Sequence, residues 1–127
     1  FGVLNTEIVR KIISRFHHTG KRHKLKAAME ELIRQRNFYP LYPPESKESI
    51  DISQYEKYTM DHTPDVLITI SEVPGFVESF EDKVVYLNPG QVINKSDSRG
   101  TYAVVTINSS PDAKELKDKV SVEIKHF

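Results

Sequence analysis

A chain of 127 residues, 38% hydrophobic and 28% charged, has the size and balance of one globular domain and not of a disordered tail. Lys plus Arg equals Asp plus Glu at 18 each, so net charge selects neither an acidic nor a basic partner, and only local clustering can. With no cysteine, a disulfide framework and a thiolate metal site are excluded within these residues, and no apolar run is long enough to cross a membrane as a helix.

The chain opens Phe1-Gly2-Val3-Leu4, without Met and already inside what reads as a strand, so a fragment of a longer polypeptide is expected. Asn5 or Thr6 can cap the helix that follows, with Glu7 in a first turn where the helix dipole favours negative charge. Ile8, Val9, Ile12, Ile13 and Phe16 recur at helical spacing, and His17-His18-Thr19-Gly20 ends that helix. A second helix is predicted over 24–36. Leu25, Ala28, Met29, Leu32 and Ile33 form its buried face, and Glu30 pairs with Arg34 outside.

Seven basic residues and no acid fall between Arg10 and Lys26, the one marked charge asymmetry in the chain. Arg15, Lys21, Arg22 and Lys24 are the candidate contacts for nucleic acid or another phosphate-bearing partner. The plainer reading is the solvated outside of two short helices. It is preferred because no aromatic side chain is interleaved to stack on bases, Phe16 belonging to the apolar face.

Asn37 to Pro44 reads NFYPLYPP. Its three prolines stop the helix and impose an extended path that carries Phe38, Tyr39, Leu41 and Tyr42. Such a segment either packs on its own domain, the preferred reading, or docks a partner. Phe38, Tyr39 and Tyr42 are the candidate partner contacts, on the ground that large aromatics anchor interfaces. The polar stretch to Asp61 reads as a surface loop. Asp61-His62 could suggest a metal, but adjacent residues point apart and no further ligand lies at a usable spacing, so a surface pair is expected.

Two apolar runs, 66–70 and 84–87, end in Ser71-Glu72 and in Asn88-Pro89-Gly90, and read as buried strands running into loops. Thr101 to Ile107 is a third strand, and Val120 to Phe127 a fourth that alternates apolar with polar. The stretch 108–119 reads as a loop, and His126 as solvent-facing. The fold expected is α+β: a mainly antiparallel sheet in the second half, with the helices covering it. No Ser/His/Asp order and no Gly-rich phosphate loop appears.

The strand–loop–strand order ending in Asn88-Pro89-Gly90 resembles the C-terminal part of the calcineurin-like metallophosphoesterase fold. In active members, the strand equivalent to 64–70 runs into a Gly-His-x-His loop that binds a metal pair. Here that loop reads Ile70-Ser71-Glu72-Val73, with no imidazole. The chain is more specifically similar to the family of second, accessory subunits of DNA polymerase alpha. The resemblance rests on Tyr39–Pro44, Thr63–Ile68 with Ser71-Glu72, Asn88–Gly90 and Gly100–Ala103, in that order.

The resemblance implies the C-terminal half of a metallophosphoesterase-like β-sandwich with covering helices. Residues 1–127 would all lie in that inactive domain, with no catalytic residue, metal or cofactor. It implies a nuclear scaffold that binds the C-terminal domain of the DNA polymerase alpha catalytic subunit, meets the primase subunits through the complex, and has no membrane partner. Two alternatives stand beside it: an active metal-dependent phosphoesterase, and a DNA-binding module using the cluster from Arg10 to Lys26.

Overall fold

Apolar runs bounded by turn residues become the centre of a sheet. A computed structural model describes residues 1–4, 7–15, 24–93, 99–109 and 114–127. Its contacts divide the chain into two units, Phe1–Glu7 with Pro64–Phe127, and Ile8–Thr63. The proposed cap at Asn5 or Thr6, Phe16 and the helix end at His17-His18-Thr19-Gly20, and Lys21 and Arg22 of the basic cluster, lie outside the described residues.

The first unit holds β1 (Gly2–Leu4), β2 (Val66–Thr69), β3 (Phe76–Phe80) and β4 (Val84–Asn88) in one sheet of order β1-β2-β4-β3. Every residue of β4 is buried, which is why Val-Val-Tyr-Leu shows no polar alternation. β1 pairs parallel to β2 and β2 parallel to β4, whereas β3 and β4 are antiparallel. The centre of this sheet is therefore parallel and its β3–β4 edge antiparallel, so the antiparallel pairing expected holds for the hairpin and not for the β1-β2-β4 core. The chain leaves the first unit between β1 and β2 and returns, and a crossover of that length allows parallel pairing.

β3 is a strand that the sequence did not announce. Its hairpin to β4 turns on Glu81 and Asp82, at φ 49° and 54°, and Lys83 N donates to Phe80 O at 2.9 Å. Phe80 pairs with Val84, so the loop is Glu81-Asp82-Lys83, and it lacks the Gly that short hairpin loops usually carry, which left no signature. A second sheet pairs β5 (Thr101–Ile107) with β6 (Val120–His126), antiparallel, and a short helix over Leu116–Lys119 leads directly into β6. The alternation expected for β6 is found: Val120, Val122 and Ile124 are half-buried, Ser121, Glu123 and Lys125 exposed. Ile124 lies against Gly75, where an added Cβ would come within 3.0 Å of it.

The second unit holds α1 (Ile8–Arg15) and α2 (Lys24–Arg34). Ile13 and Leu25, expected on the apolar faces, are only half-buried, whereas Ile8, Val9 and Ile12 are buried on α1, and Ala28, Met29, Leu32 and Ile33 on α2, as the helical spacing predicted. Each such side chain contributes roughly 1.5–3 kcal/mol on burial, apart from the smaller alanine. Arg36, at φ 47°, ends the helix, and Asn37 N donates to Leu32 O at 3.2 Å. On the outer face Arg34 pairs with Glu31 at 3.1 Å, one residue from the expected Glu30. Glu31 also accepts from Gln35 Nε2 at 2.6 Å, so one carboxylate serves both long side chains of the last turn.

The supposed surface loop is partly ordered as a 3₁₀ turn over Ile52–Tyr58, capped by Asp51, which accepts from Ser53 N at 3.0 Å. The return of the chain is stitched beside the proline segment. Phe38 N donates to Tyr58 O at 2.7 Å, and Met60 N to Arg36 O at 2.8 Å.

Candidate functional site

Because β1, β2 and β4 run parallel, the segments that follow them leave the sheet at one end. In sheets with parallel strands, that carboxyl end is where ligands are bound. Glu7, Ile70 to Glu72 and Gly90 to Ile93 meet there around a cleft of about 480 Å³. Glu7 precedes α1 and so is not the first-turn dipole residue that was expected. Its Oε1 accepts from Glu72 N at 2.6 Å, which ties the loop after β2 to the segment after β1.

Asn88, fully buried, holds the other side of this rim. Its Nδ2 donates to Val73 O at 2.9 Å and to Pro74 O at 3.3 Å. Its Oδ1 accepts from Ser71 N at 3.4 Å and from Gly90 N at 3.3 Å. One amide therefore satisfies four backbone groups in two loops. Gly90, at φ 81°, occupies the left-handed region beside Thr101 and Gly75, where a side chain would collide. The charged groups lining the cleft are carboxylates. Among the described residues no three His, Asp or Glu converge as metal ligands, and Asp61 and His62 are both exposed.

The second unit carries a different kind of site. Asn37 is buried; its Oδ1 accepts from Tyr39 N at 2.7 Å and its Nδ2 donates to Tyr55 OH at 3.1 Å. That places the proline segment opposite the 3₁₀ turn. Between them lies a groove of about 320 Å³, lined by Tyr39, Tyr42, Tyr55 and Tyr58 with Leu41 and Ile52 and by no charged side chain.

The segment is clamped from behind. Tyr39 OH donates to Glu48 Oε2 at 2.6 Å, and Lys11 Nζ bonds Glu48 Oε1. Burial, then the hydrogen bond to Glu48, push the Tyr39 phenol up to about 12. The Lys11 hydrogen bond, then that of Tyr39, hold the Glu48 carboxyl below its usual range. Arg15 adds a bond from its guanidinium to Pro43 O at 2.6 Å.

The aromatic candidates thus divide. Tyr42 is 88% exposed and presents its ring, whereas Phe38 and Tyr39 are half-buried, Tyr39 held by its hydroxyl. Of the basic candidates, Arg15 is engaged on the Pro43 carbonyl and Lys24 is exposed. The clamp of Lys11, Glu48 and Tyr39 was not visible in the sequence, because Glu48 sits in a stretch with no periodicity to fix its direction.

Comparison with known proteins gives a consistent result. The family of second (B-type) subunits of DNA polymerases alpha and epsilon matches residues 1–78. Similar proteins include the B-type subunit of DNA polymerase alpha from Mus musculus, 30% identical over 116 residues, 89% of this chain and 19% of the relative. The corresponding protein of Drosophila melanogaster is 34% identical, covering 80% of this chain and 17% of the relative. That of Saccharomyces cerevisiae is 25% identical, covering 92% and 21%. The chain thus spans about a fifth of the length of these curated relatives.

Proposed function

The chain belongs to the family of B-type subunits of DNA polymerases alpha and epsilon, and on that footing we propose that it is part of a non-catalytic accessory subunit of DNA polymerase alpha. It serves the initiation of DNA replication in the nucleus as a scaffold. It binds the C-terminal domain of the catalytic subunit and joins the primase subunits through the complex. Residues 1–127 form the C-terminal part of an inactivated metallophosphoesterase-like domain within a longer polypeptide.

The observation that carries the loss of chemistry is the rim. Its frame is kept by Asn88, which holds the loops after β2 and β4 together. The loop itself offers a hydroxyl and a carboxylate, Ser71 and Glu72, where a two-metal phosphoesterase needs imidazoles. The Glu72 backbone is drawn instead into the bond to Glu7.

The partner surface includes Phe38, Tyr39 and Tyr42, with Tyr42 as the exposed anchor. Association of the full-length protein with the catalytic subunit, compared between wild type and Tyr42→Ala, tests this. Retention by the wild type and weakened retention by the variant are expected; undiminished retention by the variant would remove Tyr42 from the interface. DNA contact through the basic cluster is the weaker reading, since Arg15 is committed to Pro43 and Lys11 to Glu48.

A further inference from the structure

We infer that the tyrosine-lined groove between the proline segment and the 3₁₀ turn is a docking site for a proline-rich, polyproline-II segment of a protein partner. The inference rests on reading this region as partner-binding, and goes further by naming the chemistry of what binds.

Size and charge come first. A volume of about 320 Å³ takes a few side chains of a segment and not the face of a folded domain. No charged side chain lines it, so it complements an uncharged occupant; a charged peptide would be desolvated there without a counter-ion. Hydrogen-bond donors are present in the lining as well. Tyr42 and Tyr58 show no side-chain bond among the described residues, and Tyr55 OH is already the acceptor of the Asn37 amide, leaving its own O–H to donate. The groove therefore offers donors. A polyproline-II chain offers carbonyl acceptors for them, few N–H groups, and flat apolar rings that stack on aromatics.

The wall is also set before binding. Asn37 fixes Tyr39 N and Tyr55 OH, and Glu48 with Lys11 fixes the Tyr39 ring. A preformed groove meeting a preformed helix loses little conformational entropy on association. Tyr42, 88% exposed at the mouth, and Ile52, 73% exposed, are then the apolar surface the occupant would cover.

The test uses the full-length protein and a fluorescein-labelled decaproline peptide, read by anisotropy. A Gly-Ser decapeptide and an amphipathic Leu-Lys helical peptide are the controls. Saturable binding of decaproline alone is expected. Tyr42→Ala should weaken it about tenfold through loss of the ring, and Tyr42→Phe about threefold through loss of the donor. Both variants alter an exposed side chain and should leave the melting temperature unchanged. No saturable decaproline binding, equal binding by Tyr42→Ala, or preference for the Leu-Lys peptide would overturn the inference. The catalytic-subunit pull-down run in parallel separates the two claims. If Tyr42→Ala releases the catalytic subunit while decaproline never binds, the groove chemistry is wrong and the scaffold reading survives. If decaproline binds through Tyr42 while wild type fails to retain the catalytic subunit, the groove stands and the scaffold reading falls.

Discussion

The side-chain amide of Asn88 donates to the carbonyl of Val73 at 2.9 Å, from a fully buried position at the end of β4 to the loop after β2. Asn88→Ala would leave that carbonyl and the Ser71 and Gly90 amides without their partner. A loss of about 3 kcal/mol in unfolding free energy is expected, because unmet buried polar groups cost roughly 1–3 kcal/mol each and the loops relax in part. Asn88→Asp should be no better, since it sets a second oxygen against the Val73 and Pro74 carbonyls. Denaturant unfolding of the variants checks this, and a change below about 0.5 kcal/mol would remove Asn88 from its role as clamp.

The Glu48 clamp gives a dependence on pH. Its folded carboxyl sits below the ordinary 4.5, so its stabilising share is present above that value and is lost as pH falls through the lowered one. Tyr39 has the opposite sign. Its folded value, about 12, lies above the ordinary 10, so its share is full below pH 10 and is lost as pH rises toward 12. Unfolding midpoints against pH should show a shallower acid limb in Glu48→Gln and a shallower alkaline limb in Tyr39→Phe. Profiles parallel to wild type at both ends would show that the clamp does not contribute.

The hairpin between β3 and β4 stores backbone strain. Glu81 and Asp82 sit at φ 49° and 54°, in the left-handed region where an ordinary L-residue costs roughly 1 kcal/mol. Replacing the pair with Asn-Gly should therefore stabilise the protein by about 1 kcal/mol, read as a raised melting temperature. A lowered one would mean that Glu81 or Asp82 makes a contribution outweighing its strain.

The rim predicts an absence of chemistry that can be measured directly. Purified full-length protein should hold no stoichiometric Mn or Zn and should not turn over a phosphodiester substrate. Stoichiometric metal together with turnover would restore the phosphoesterase reading.

The elements built on periodicity were legible in the sequence. Ile8, Val9 and Ile12 on α1, the Ala28 to Ile33 face of α2, and the alternation of β6 all follow from spacing alone. What escaped was set by context. β3 reads Phe-Val-Glu-Ser-Phe and becomes a strand because β4 offers it an edge, through a three-residue loop that contains no Gly. The parallel pairing of β1 with β2 depends on a crossover whose end points no local pattern reveals. At the candidate sites, the Asn-Pro-Gly turn was visible but the four bonds of Asn88 were not. Tyr42 was found by size, whereas the groove beside it needed Asn37 to join two segments far apart in the chain.

The most direct test of the scaffold claim is co-purification. Full-length protein carrying an affinity tag should retain the DNA polymerase alpha catalytic subunit at one-to-one stoichiometry through a high-salt wash, and lose it when the C-terminal domain of that polymerase chain is deleted. Recovery of the tagged protein without the catalytic subunit, or unchanged recovery after the deletion, would contradict the account.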